Sequence, residues 1–134
     1  MKRTPILADI SAFPTPFHDL LKNAALFDSS CSPEARVIFI DKDNGYFLKS
    51  APKGTLEKEA ALGRFFHQKG LAPVVLSYLS EEKDWLLTER ARGEDATHAL
   101  YLSDPRRLSA TMGELLRALH ELPHAGCPDR KSVV

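Results

Sequence analysis

Ala35-Arg-Val-Ile-Phe-Ile40, Asp41-Lys-Asp-Asn44-Gly45 and Tyr46-Phe-Leu-Lys49 form one continuous stretch with the pattern of a β-hairpin. The first piece is a run of β-branched and aromatic residues, which pack well on a pleated surface and predict a strand. The second ends in Asn-Gly, the strongest short signal for a hairpin, because both residues tolerate positive φ. The third is the returning strand. It closes on a lysine, which must reach either solvent or a fixed anion.

On the N-terminal side of this hairpin, Ala24 to Asp28 reads as a short strand. It is joined to the hairpin by the small polar link Ser29-Ser30-Cys31-Ser32-Pro33. Upstream, Pro5, Pro14 and Pro16 argue against a helix before residue 16, and Pro16 suits the first turn of a short helix ending at Lys22. Downstream, Gly54 and Thr55 are candidate caps of a helix closed by Lys69-Gly70, with Glu57 and Glu59 in its first turns. Leu56, Ala60, Leu62, Phe65 and Phe66 recur on it at helical spacing. Val74 to Leu79 and Trp85 to Thr88 read as a second hairpin across the charged turn Glu81-Glu82-Lys83-Asp84. After Gly93 the pattern turns helical again. Ser103 is the expected cap, Pro105 an early-turn residue, and Leu108, Met112, Leu115, Leu116 and Leu119 mark one face up to His120. The expected order is helix, three strands, helix, two strands, helix. This is an α+β unit with one helix packed on an antiparallel sheet of about five strands.

Bulk properties agree with a globular chain. In 134 residues, 43% are hydrophobic, and 18 Lys+Arg balance 18 Asp+Glu, so no global basic field is available for nucleic acid or anionic lipid. No apolar run approaches the roughly 18 residues of a bilayer span, and residues 1–9 lack a signal-peptide core. Membrane and nucleic-acid partners are therefore not expected. Two cysteines, Cys31 and Cys127, are no disulfide framework and favour a reducing, cytoplasmic setting. His120, His124 and Cys127 are too few for a structural zinc site, and Pro123 breaks the helical face that would align them. No metal site is expected in this chain.

Three features carry chemistry. Lys49 ends its strand ten residues before Glu59 on the facing helix, and such a pair would hold an ammonium ready for phosphates. Glu59 shares the helical side of Leu56 and Ala60, so it faces the sheet better than Glu57 does. The 29–34 link offers backbone N–H groups that can face an anion, although it lacks the glycines of a phosphate-binding fingerprint. The segment Trp85-Leu-Leu-Thr-Glu-Arg-Ala-Arg-Gly93 runs from a strand into an irregular connection whose backbone groups suit the edge of a purine. Each feature alone also fits an ordinary solvated lysine, hairpin loop or crossover.

In this order the pieces resemble the N-terminal lobe of the aminoglycoside phosphotransferase family, a branch of the protein-kinase-like fold. The matching text is Ser-Ser-Cys-Ser-Pro-Glu-Ala-Arg-Val (29–37), Gly-Tyr-Phe-Leu-Lys (45–49), Leu-Glu-Lys-Glu-Ala-Ala-Leu (56–62) and Gly-Leu-Ala-Pro-Val-Val-Leu (70–76). It continues in Asp-Trp-Leu-Leu-Thr-Glu (84–89), Gly-Glu-Asp (93–95), Leu-Arg-Ala-Leu-His (116–120) and Cys-Pro (127–128).

The resemblance implies an ATP-binding lobe spanning residues 1–89, then a hinge and the start of a C-lobe over 90–134. It assigns Lys49 to the α- and β-phosphates and Glu59 as its partner. Ser29, Ser30 and Ser32 fall in the nucleotide-positioning loop, and Thr88 at the gatekeeper position behind the adenine. The Glu89 carbonyl and the Ala91 amide become the hinge groups on the adenine edge. The family's His-Gly-Asp loop with its following Asn is absent from this sequence, and Asp-x-Gly occurs only as the turn Asp43-Asn44-Gly45. No catalytic residue is therefore assigned, and Mg²⁺ is expected only with a longer protein. The chain ends at Asp129-Arg-Lys-Ser-Val-Val134, about where the family's larger lobe begins.

Two readings follow. One is half of a small-molecule kinase that phosphorylates a hydroxyl of an aminoglycoside-like substrate, inactive by itself. The other is a stand-alone, non-catalytic lobe that binds nucleotide or a partner. In either case the leucine face of the last helix is expected to drive self-association.

Overall fold

The computed structural model describes residues 3–93, 96 and 98–128. Glu94 and Asp95 of the expected hinge, and the tail 129–134, lie outside the described residues. The chain divides into two compact units, Met1–Ala91 and Arg92–Val134.

The first unit is built on a six-stranded antiparallel sheet. Its strands are β1 (Thr4–Ile6), β2 (Ala25–Asp28), β3 (Arg36–Asp41), β4 (Tyr46–Pro52), β5 (Val75–Ser80) and β6 (Lys83–Glu89), in the order β1-β2-β3-β4-β6-β5. The α+β class and the two hairpins are as expected, with one strand more than the sequence suggested. That strand, β1, contains Pro5 and lies at the sheet edge, where a missing N–H is tolerated. Between β1 and β2 come two 3₁₀ turns, Ile10–Ala12 and Thr15–Phe17, and the one-turn helix α1 (His18–Leu21), with Pro16 at the start of the second turn.

The β3–β4 turn closes with the Gly45 amide donating to the Lys42 carbonyl at 2.9 Å. Its positive-φ residues are Asp43 (52°) and Gly45 (99°), on either side of Asn44. Gly45 is required for a second reason: a Cβ there would lie 2.8 Å from the Phe39 ring.

Period-two alternation sends the strand residues to two different faces. On one, Leu26, Ile38, Ile40, Leu48, Trp85 and Leu87 are buried beneath Phe13, Phe17 and Leu21 of the arm between β1 and β2. Trp85 sits 5.7 Å from Phe13 and 6.2 Å from Phe17, ring centre to ring centre. The other face receives α2 (Glu57–Gln68), whose Leu56 and Ala60 pack on Ala51 of β4 and Leu86 of β6. The helix approaches β5 closely at Gly63, where a Cβ would meet Val75 at 2.9 Å.

One residue of the charged turn does not belong to the solvent. Asp84 lies inside β6 and is fully buried, because β6 begins at Lys83 rather than at Trp85. Burial alone would raise its pKa. The Gly54 amide, the Ser80 hydroxyl, the Leu56 amide and the Tyr78 hydroxyl all donate to its carboxylate and hold it down at about 2. The distances are 2.7 Å from Ser80, 2.9 Å from Tyr78 and 3.0 Å from Leu56. No side chain of Gly54 or Thr55 caps α2. The Thr55 hydroxyl instead donates to the Pro52 carbonyl, and Asp84 takes up the amides at the helix entrance.

The second unit holds the single turn α3 (Ala99–Leu102) and the helix α4 (Pro105–His120). The cap of α4 is Asp104, one residue past Ser103, accepting from the Arg107 amide at 3.1 Å. The Ser103 hydroxyl is used on α3, donating to the Ala99 carbonyl. Met112, Leu115, Leu116 and Leu119 are all exposed. Among the described residues no helix is long and apolar enough to cross a membrane.

Candidate functional site

The α2-bearing face of the sheet gathers the candidate residues. Lys49 lies near the middle of β4, flanked by Val37 on β3 and Leu86 on β6. Its ammonium donates to both carboxylate oxygens of Glu59, at 3.0 and 2.9 Å. Glu59 rather than Glu57 makes this pair, since it lies on the side of α2 that carries the buried Leu56 and Ala60. The two side chains are 30% and 48% exposed, a solvated setting in which ion pairs contribute at most about 1 kcal/mol. The pair therefore fixes where the ammonium stands more than it holds the fold together.

Asp84 sets the geometry behind this pair. By binding the Leu56 and Gly54 amides it pins the entrance of α2 to β6, and Glu59 follows within one turn. The sequence hides this role in a run of charges. Only the strand register, which places Asp84 opposite Ala51 of β4, reveals it.

One level along the sheet from Lys49 runs a row that joins Thr88 to three phenylalanines the sequence reading did not single out. Phe27, Phe39, Phe47 and Thr88 stand directly opposite one another on β2, β3, β4 and β6. The rings lie 6.2 Å (Phe27 to Phe39) and 5.2 Å (Phe39 to Phe47) apart. Thr88, half-buried, ends this row beside the Phe47 ring. An aromatic floor next to a fixed ammonium offers an apolar planar surface and a cation side by side.

At the far end of β6, the Glu89 amide donates to the Val74 carbonyl and the Arg90 amide to the Gly45 carbonyl. Successive residues thus turn their backbone groups to opposite edges, which puts the Glu89 carbonyl on the Val74 side, away from β4. Ala91 is exposed and is the last residue of the first unit.

The loop between β2 and β3 differs from the open anion cradle suggested by its composition. The Ser29 amide donates to the Val37 carbonyl at 2.9 Å, and the Ser29 residue is buried. Asp28 accepts both the amide and the hydroxyl of Ser30, at 3.0 and 2.6 Å, and its carboxyl is held below the usual range by them. The Ser30 hydroxyl in turn accepts the Val37 amide at 3.0 Å. Ser32 pairs with Ala35 across the loop tip and hydrogen-bonds Glu34, whose carboxyl is lowered by it. The serines shape the loop, and the Ser29 and Ser30 amides are spent within it. Among the described residues, no three His, Cys, Asp or Glu side chains converge on a possible metal site.

Residues 31–132 match the phosphotransferase enzyme family. The chain is also similar to a probable aminoglycoside 3'-phosphotransferase of Lactococcus lactis subsp. lactis (strain IL1403), with 45% identity over 121 residues. The match takes in 90% of this chain but 46% of that relative, so the chain spans less than half of the relative's length.

Proposed function

The chain belongs to the phosphotransferase enzyme family, and from that premise we propose that its first unit is the ATP-binding lobe of a small-molecule kinase. The observation that carries this reading is the bidentate Lys49–Glu59 pair standing beside the Phe27–Phe39–Phe47 row on one sheet face. A nucleotide has an apolar planar base and an anionic tail, and this face offers a partner for each. In the proposed pose the base lies against Phe47, beneath Thr88, with its edge toward the backbone of Ala91; the Glu89 carbonyl, turned to the Val74 side, lies off that edge. The phosphate chain turns toward Lys49. Ser29, Ser30 and Ser32 keep the β2–β3 loop in shape over the phosphates.

The reaction is transfer of the γ-phosphate to a substrate hydroxyl, and an aminoglycoside-like acceptor is the leading class given the relative's name. Such transfer depends on positioning and charge stabilisation, with Mg²⁺ bridging the phosphates and a carboxylate orienting the hydroxyl. Lys49 supplies the first of these. The sequence has no His-Gly-Asp loop and, among the described residues, no converging set of metal ligands to supply the rest, so no step is assigned to Mg²⁺ here. The 134-residue chain by itself is expected to bind nucleotide and not to turn it over. The setting proposed is the cytoplasm, where ATP is held.

Titration with a fluorescent ATP analogue tests the reading. Saturable binding is expected, weakened at least tenfold in Lys49→Ala with the melting temperature within a few degrees of the parent. Absence of saturable binding would overturn it. In a longer protein that carries the catalytic loop, Lys49→Ala should cut turnover by orders of magnitude.

The exposed stripe Met112, Leu115, Leu116 and Leu119 favours a second property, association of the isolated chain with itself. Sedimentation should show mass rising with concentration. A clean monomer at high concentration would remove this part of the reading.

A further inference from the structure

Arg3 stands on the same face as Lys49. Pro5 is opposite Phe27 and Thr4 opposite Asp28, so by alternation Arg3 shares the face of Pro5 and is level with Ser29. The Ser29 amide bonds Val37, and Val37 is paired with Lys49. Arg3 and Lys49 therefore occupy the same level of the sheet, one at its edge and one near its centre. From there the Arg3 side chain reaches inward. Its guanidinium carbon lies 3.7 Å from the centre of the Phe39 ring and 6.0 Å from that of Phe47. The group thus hovers over β3, about one strand spacing, 4.8 Å, from the strand that carries Lys49.

Charge sets the two cations apart. Lys49 is balanced by Glu59, whereas no carboxylate is paired with Arg3 among the described residues. What holds the guanidinium is stacking on Phe39, a contact worth about 0.5–1 kcal/mol at an exposed site. Stacking uses the flat face of the group and leaves its N–H donors, which lie in the plane, directed outward. A guanidinium in that posture matches the oxygens of a phosphate, which it can bind in a two-pronged way.

We propose that Arg3 is a second cationic ligand of the nucleotide's phosphate chain, acting across the Phe39 ring from Lys49. The inference rests on the nucleotide reading of this face. It adds a residue outside the 31–132 segment that matches the family. The phosphates would lie between the Lys49 ammonium and the guanidinium over Phe39, with the base farther toward Thr88 and Glu89. Arg3 supplies there the net positive charge that the Lys49–Glu59 pair lacks.

The test is equilibrium titration of ATP and of adenosine into the parent chain, Arg3→Ala, Arg3→Lys and Lys49→Ala. Arg3→Ala should weaken ATP about tenfold and adenosine less than twofold, with Arg3→Lys between the parent and Arg3→Ala. The dependence of ATP affinity on salt should also flatten in Arg3→Ala, as expected when one phosphate contact is lost. Unchanged ATP affinity in Arg3→Ala, beside a clear loss in Lys49→Ala, would overturn the role of Arg3 alone. Tighter adenosine binding in Arg3→Ala would also overturn it, because it would make the guanidinium a plug on the ring surface. A parent chain that binds no ATP would overturn both this inference and the reading beneath it.

Discussion

The two faces of the sheet are made from alternate residues of the same strands, yet they are finished in opposite ways. Ile38, Ile40, Leu48 and Leu87 point to one side, where Phe13, Phe17 and Leu21 seal them. Phe39, Phe47, Lys49 and Thr88 point to the other. There the covering is partial: α2 closes the end at Ala51 and Leu86, and Arg3 lies over Phe39. Phe27, Phe47, Lys49 and Thr88 stay half-buried. One face spends its apolar residues on packing. The other keeps aromatic rings and a lysine accessible, a costly arrangement for stability that makes sense if a ligand completes it.

The contrast predicts that substitutions on the two faces separate stability from binding. Leu48→Ala, on the sealed face and 1% exposed, should cost about 2–5 kcal/mol in denaturant unfolding. Phe47→Ala, one residue away on the open face, should cost far less stability and should remove most of the affinity for an ATP analogue. Comparable destabilisation by both would erase the distinction between the faces.

Asp84→Asn is next in size, since the neutral amide serves the donors from Ser80, Tyr78, Leu56 and Gly54 less well. Its melting temperature should fall by roughly 5–10 °C, and ATP affinity should fall with it because Glu59 loses its anchor. The native carboxyl titrates near 2 against an ordinary 3.8. Its contribution is therefore intact above about pH 4 and is lost as pH drops from there through 2. Melting curves over that range should show a slope in the parent chain that Asp84→Asn reduces.

Glu59→Gln is the smallest effect on the fold. Stability should change by less than about 1 kcal/mol, as for other solvated ion pairs. Nucleotide affinity should drop severalfold, because the ammonium is then no longer held at one place. Calorimetry of the two quantities on one sample checks the split.

The legible parts of this molecule were those that local rules decide. Alternation and the Asn-Gly turn reveal the β3–β4 hairpin, and helical spacing reveals α2 and α4. The ten-residue interval from Lys49 to Glu59 was enough to suggest the pair, because strand and helix pack face to face. The parts that escaped depend on register. Thr4–Ile6 is a strand only because an edge position excuses Pro5. Asp84 looked like one more charge in a polar turn, and nothing local says that its strand starts two residues early. The aromatic row is spread over three strands with gaps of twelve and eight residues, so it exists only after the strands are aligned. Arg3 is one half of a terminal basic pair until β1 places it over Phe39. The hydrogen bonds of the serine loop are equally a matter of register: Asp28 and Val37 take up the Ser30 and Ser29 amides, which composition alone does not show.

The most direct test of a ligand-bearing face is to follow ring signals by NMR while ATP is added to the 134-residue chain. Saturable shifts are expected at Phe39 and Phe47 while the Trp85 indole, on the sealed face with Phe13 and Phe17, stays in place. Shifts at Trp85 with Phe39 and Phe47 unmoved would contradict that expectation.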